Sequence, residues 1–405
     1  MKPDDPGLRE PYLLSGGRQV PRELADGRAI PFAPPLPLTT LERHYHAVSN
    51  FVRTFDIRPT DTVVMLTDRA LDPRVVSAIS GLCMAQGVQP TIITSHTTQH
   101  FSIPEDVKPM LEKATFVIST WYCSVMDPYC VALRREKGQR WIKITFFRNL
   151  DLLETPQARF PTAIVSALIR NTAARVPAGR DVRFSFSDAR GSDLTIDLTA
   201  AMVKKNFDSG RWRGEMSASE PGCYVHYLPT HGPNIYQRDI VVDRLDQVMP
   251  VSGTIYAQCA TAFPKPFAER IGVRFERDRI VEVTGHSNDA VILREMLIGG
   301  QLIELGCGFN PKWPRHQVYP AGSNSPGALH FGIDMVKPSD FVRRMMPNWE
   351  EPPVHMDLVS FDCTAKANDS ALVVDGYLQA LRDPDVIALA EKYGGAVDLL
   401  ENWPD

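Results

Sequence analysis

Between residues 39 and 146 two apolar patterns take turns along the chain. Short β-branched runs predict strands: DTVVMLTD (61–68), PTIITS (90–95), TFVIST (115–120) and WIKITF (141–146). Segments with apolar residues three and four apart predict helices. One is LERHYHAVSNFVRTF, which follows the cap-like Thr39 and Thr40. Another is PRVVSAISGLCMAQG (73–87), which closes on a glycine. Strands alternating with helices build right-handed βαβ units around a mostly parallel sheet. No GxGxxG or GxxxxGK[ST] follows the first strand, so no nucleotide role is read here.

Near residue 180 the texture changes. DVRFSFSD, DLTIDLTA, SGTIYA, VRFERDRIVEVTG and ALVVDGYL are short alternating segments separated by turn residues, which predicts a β-rich region. REMLIGGQL predicts a helix just ahead of IELGCGFNP. Residues 1–38 are rich in proline, glycine and charge and read as an extended N-terminal arm. The expected organisation is this arm, an α/β domain over 39–180 with a mostly parallel sheet, and a larger α+β, β-rich domain over 181–405.

Composition narrows the function classes. The 405 residues carry a net charge of -4, which argues against binding a nucleic-acid backbone. No apolar run approaches the ~18 residues of a membrane span. MKPDDPGLREPYLL lacks the apolar centre of a secretory signal. The seven cysteines are scattered, without CxxC, and are expected to be reduced thiols of a cytoplasmic protein.

The chemistry concentrates late in the chain. PPVHMDLV (352–359) places His355 and Asp357 two residues apart, on one face of a strand. They are either a hydrogen-bonded structural pair or two ligands of one metal. IELGCGFNP (303–311) puts Glu304 in an apolar strand, where an ionised carboxylate is costly without a partner. GALHFGID (327–334) puts His330 in another. Oxygen and imidazole donors without thiolates suit Fe(II), Mn(II), Co(II) or Zn(II). The plainer alternative makes the histidine a satisfied core group and the glutamate a backbone cap or ion-pair partner. EPGCYVHYLPTHGP (220–233) sets Glu220, His226 and His231 among glycine and proline, as expected of a loop. A histidine there is either a general acid–base group near neutral pH or an ordinary surface residue.

Five segments taken in order, LDPRVVSAIS, ARGSDLTIDL, EPGCYVHYLP, IELGCGFNP and VHMD, resemble 2,5-dihydroxypyridine 5,6-dioxygenase. That family opens a ring in nicotinic acid breakdown and is related in fold to the aminopeptidase T family. The resemblance spans roughly residues 55–380 and implies an aminopeptidase T-like fold. The dioxygenases hold mononuclear Fe(II) with two His and one Asp. Their HxD pair falls on His355 and Asp357, and their other His falls on Glu304. The aminopeptidases have a metal-bridging Glu at the position of Glu304, and their GALHFG-like motif implies His330 as a ligand. Their LPxGE-like segment reads YLPTHGP here, with His231 and Gly232 and no glutamate. The dioxygenase's substrate-contacting His maps onto His226.

The resemblance thus implies a mononuclear non-haem iron(II) dioxygenase that cleaves a small hydroxylated N-heterocycle or aromatic with O₂. Glu304, His330, His355 and Asp357 would be its metal ligands, and His226, assisted by His231, its catalytic groups. Fe(II) is the first expectation, with Mn, Co or Zn as alternatives, and the chain is expected to be a homo-oligomer. Two other readings remain. One is a metallohydrolase of aminopeptidase T type, and the other a non-catalytic binding protein that kept the fold.

Overall fold

A computed structural model describes residues 38–96, 102–208, 210–228, 232–244, 246–261, 263, 265–313, 325–336 and 354–401. His231 and the expected arm, apart from its last residue Leu38, lie outside them. The chain divides into two compact units, residues 1–161 with 217–228 and residues 162–216 with 229–405.

In the first unit, helix α1 (Leu38–Phe55) precedes strand β1 (Val63–Asp68) and helix α2 (Pro73–Ala85). Strands β2 (Thr91–Ser95) and β3 (Phe116–Ser119), helix α3 (Pro128–Lys137) and strand β4 (Arg140–Lys143) follow. These four strands are the four β-branched runs read from the sequence. Helices α2 and α3 start the same way. Asp72 and Asp127 accept from backbone N–H groups of the first turn, and a proline whose missing N–H costs nothing comes next. The chain then runs through α4 (Thr162–Ala174), β5 (Val182–Ser187), β6 (Asp193–Leu198) and α5 (Ala200–Phe207) of the second unit. It comes back as β7 (Tyr224–His226).

The first sheet is parallel, in the order β2-β1-β3-β4-β7. Every residue of β1 and β3 is buried, because both faces of the sheet are covered. Met65, Ile118 and Ile142 pack on one side with Phe51, Phe55, Val75 and Ile79. Val64, Leu66, Val117 and Trp141 pack on the other with Leu133. One local expectation changes here: His226 is the last residue of β7, a strand and not a loop.

The second unit holds an antiparallel sheet of 13 strands among the described residues. Its remaining strands include β8 (Asn234–Gln237), β9 (Val251–Ile255), β10 (Cys259–Ala260), β11 (Val273–Glu276) and β12 (Arg279–Val283). After helix α6 (Asn288–Leu297) come β13 (Gln301–Cys307), β14 (Leu329–Met335) and β15 (Val354–Ser360). Strands β16 (Thr364–Ala367), β17 (Ser370–Val374) and β18 (Tyr377–Leu378) complete it. The order runs β10-β15-β14-β13-β12-β11-β9-β6-β5-β16-β17-β18, and β8 pairs with β13. On β5 the buried residues are Val182, Phe184 and Phe186, the alternation of a strand with one face packed. Strand β14 differs, being buried on both faces for most of its length. All seven cysteines are free and buried. Among the described residues, no helix is long and apolar enough to cross a membrane.

Strand β13 meets β12 at a single pair, Arg279 with Gln301. A buried carboxylate reinforces this weak seam. Asp278 sits in the β11–β12 turn at φ 61, a left-handed position that Asp and Asn tolerate. Its Oδ2 accepts from Gln301 Nε2 at 3.0 Å, from Arg238 Nε at 3.2 Å and from the Met249 N–H at 3.3 Å. Asp278→Asn keeps the turn and removes the charge facing a buried guanidinium. We expect a loss of about 3–5 kcal/mol of stability, read by chemical denaturation.

Candidate metal centre

The centre of the site is a row of paired residues on three adjacent strands. Gly332 on β14 lies opposite Glu304 on β13 and opposite Asp357 on β15. One step along, His330 faces Gly306, and one step the other way Asp334 faces His355. Paired residues share a face, so Glu304, His330, Asp334, His355 and Asp357 all project to the same side.

The two glycines provide the space. A Cβ on Gly306 would overlap the His330 ring. One on Gly332 would overlap Glu304 Cγ and stand 2.8 Å from His355 Cε1. A glycine inside a strand often marks such a close approach. These glycines, together with Asp334 and Asn234, are the site residues that sequence reasoning missed. The available signal was a Gly two residues beyond each candidate, in ELG and HFG.

The side chains converge. The ligand atoms of Glu304, His330 and Asp357 all lie within 4.8 Å of one another. His330 Nε2 is 3.8 Å from Glu304 Oε1. His355 Nε2 is 3.1 Å from Asp357 Oδ1 and 3.3 Å from Glu304 Oε1, and its Nδ1 is 3.0 Å from Asp334 Oδ1. Asn234 Nδ2 donates to Glu304 Oε2 at 2.8 Å. The Asp357 N–H donates to Thr261 Oγ1 at 3.1 Å, and the Thr261 N–H to the Asp357 carbonyl at 2.9 Å. His355 and Asp357 are therefore a hydrogen-bonded pair, and Asp357 also belongs to the three-residue donor group.

Burial and charge set the protonation states. Burial holds the His330 imidazole below its ordinary pKa, against the pull of Asp357 and Glu304, so the ring is neutral. Burial acts the same way on His355 but is overcome by the charge of Asp357 and by hydrogen bonds to Asp334, Asp357 and Glu304. Its pKa lies well above the ordinary value. Asp357 is held low, since the facing His355 outweighs the burial that would raise it. Two carboxylates and a neutral buried imidazole suit a divalent cation of the Mn, Fe, Co or Zn type.

The other described candidate belongs to the first unit. His226 ends β7 in the first unit, paired with Lys143 of β4. The Tyr224 ring stands edge-on to it at 5.1 Å between centroids.

The fold is similar to those of solved enzymes. The 2,5-dihydroxypyridine dioxygenase of Pseudomonas putida KT2440 matches with a TM-score of 0.51 at 16% identity, covering 85% of this chain and 98% of that one. AmpT of Thermus thermophilus, an aminopeptidase T, matches with a TM-score of 0.47 at 12% identity, covering 84% of this chain and 99% of that one. No protein-family model matches the sequence, and no curated protein does. At these identities the likeness is one of fold.

Gly332→Ala tests the geometry of the site directly. The added methyl must displace Glu304 or His355. We expect a folded protein by circular dichroism whose content of bound divalent metal falls by more than half in elemental analysis.

Proposed function

We propose that the protein is a metal-dependent enzyme in which Glu304, His330 and Asp357 hold a divalent cation. The observation carrying this reading is the convergence of their donor atoms within 4.8 Å, beside two glycines that leave room for them. The finer reading is a mononuclear non-haem iron(II) dioxygenase that opens a small hydroxylated aromatic or N-heterocyclic ring with O₂. Its support is the likeness in fold to 2,5-dihydroxypyridine dioxygenase and a donor set able to leave coordination positions open. Bound there, ferrous iron would bring an anionic substrate oxygen and O₂ together and pass electron density between them.

The chain's own residues do the rest. Glu304 and Asp357 supply negative charge, and Asn234 fixes the far oxygen of Glu304. His355 meets Asp334 through Nδ1 and Asp357 through Nε2. His226 is assigned substrate orientation and proton transfer, with His231 assisting. A dioxygenase places both oxygen atoms in its product, so the reaction calls for no external reductant.

A second reading is a metallohydrolase that activates water on the cation. The presence of Glu304, which gives two carboxylates to one imidazole in the donor group, favours it.

The test is metal per chain in anaerobically purified protein, followed by oxygen uptake with hydroxypyridines and hydroxylated benzenes. About one iron per chain with uptake supports the dioxygenase. Zinc or cobalt with peptide or amide hydrolysis replaces it by the hydrolase, and an intact fold without metal indicates a binding protein. Asp357→Ala should lose the metal and keep the fold. His226→Ala should keep the metal and lose turnover by about 10²–10⁴-fold, the usual range for an acid–base group.

A further inference from the structure

His355 meets Asp334 across the β14–β15 ladder, and this contact is oriented. The two residues are register partners, so their side chains leave the sheet side by side. Asp334 Oδ1 lies 3.0 Å from His355 Nδ1, and the opposite ring nitrogen faces Asp357 and Glu304. An imidazole rotated by a half turn about its ring bond fills nearly the same volume. It would turn Cδ2 toward Asp334 and Cε1 toward Asp357, and both contacts would be lost. The Asp334 carboxylate therefore selects one of two nearly equal ring orientations, and the bond at Nδ1 dictates what Nε2 offers. Gly332 lets the ring lie against β14, since a Cβ there would stand 2.8 Å from Cε1.

We propose that Asp334 is a positioning residue for the metal centre: its carboxylate fixes the His355 ring so that Nε2 joins Glu304, His330 and Asp357 as a fourth donor to the cation. This rests on the metal-dependent reading above and on His355 as the ligand that the resemblance implies; the role of Asp334 is what is added. It assigns Asp334 the part of the outer carboxylate that commonly holds a ligating histidine. An ion pair alone would demand no particular ring orientation, whereas here Nδ1 meets Asp334 and Nε2 is turned to Asp357 and Glu304.

The experiment titrates Co(II) into full-length, metal-stripped protein under anaerobic conditions and follows the visible absorption of the bound ion. Relative to wild type, Asp334→Ala should weaken Co(II) binding by about 10–100-fold. Asp334→Asn, whose side-chain oxygen still accepts from Nδ1–H, should recover most of that loss. His355→Ala should weaken binding as much as Asp334→Ala does, and combining the two should add nothing. Wild-type affinity in Asp334→Ala overturns the proposal. So does a full additional loss when Asp334→Ala is placed on His355→Ala, because Asp334 would then act without the ring.

A metal-free measurement separates this proposal from the reading beneath it. In ¹H–¹⁵N spectra the His355 Nδ1–H should be protected from exchange in wild type and Asp334→Asn, and lost in Asp334→Ala. A wild-type chain that takes up no Co(II) overturns the metal reading. A Nδ1–H signal that Asp334→Ala leaves unchanged overturns the role of Asp334 itself. If Asp334→Ala does not fold, Asp334→Asn decides: loss of the protected proton there, with the acceptor retained, contradicts the proposal.

Discussion

Three carboxylates share one face of a sheet, and their mutual repulsion is the constraint on which the site depends. Glu304, Asp334 and Asp357 project from adjacent strands beside two imidazoles. Like charges about 4 Å apart cost on the order of 4 kcal/mol at the effective dielectric of a partly buried site. Positive charge among them relieves that repulsion. The His355 imidazole has a pKa well above its ordinary value because Asp357, Asp334 and Glu304 surround it. His330 cannot serve, because full burial keeps it neutral. The face thus favours positive charge, which is the physical ground for proposing a divalent cation there.

The scaffold makes this crowding possible. Antiparallel pairing brings residues far apart in sequence to a fixed register, and Gly306 and Gly332 remove the atoms that would otherwise fill the gap. Strand β8 adds Asn234 from the far side of β13, so Glu304 is held by one oxygen and presents the other. Asp278 secures β13 where its ladder to β12 is reduced to one pair. The rigidity of the site comes from the strands. The amide, hydroxyl and carboxylate contacts around them set the orientation of each side chain.

Much of the scaffold was legible in the chain. Strands β1, β3 and β4 are almost wholly buried and, like the more exposed edge strand β2, read as unbroken β-branched runs, and β5 and β6 alternate cleanly. The residue types that converge at the candidate site stood out too, since a Glu or a His inside an apolar strand demands a partner. Their convergence was not legible, because no local pattern pairs residues 304, 330 and 357. Asp334 looked like the polar end of a strand, and Asn234 sits in NIYQ, whose burial depends on neighbours brought by the fold. Strand β7 was missed because three residues between glycine and proline are too few to show a period.

Charge also bears on the chemistry the site favours. A donor group of two carboxylates and one neutral imidazole cancels the full charge of a divalent cation. With one carboxylate, as the resemblance implies for the dioxygenases, a net positive charge would remain. On the proposed dioxygenase reading, such a neutral centre would attract a deprotonated hydroxyl less strongly. A neutral fourth donor at His355 Nε2, 3.1 Å from Asp357 and 3.3 Å from Glu304, would add to the hold on the cation without changing that charge. On the proposed reading Glu304 and Asp334 would work together: the carboxylate in place of a histidine would lower the positive charge of the centre, and the second carboxylate would keep the His355 ring in the orientation from which Nε2 faces the cation.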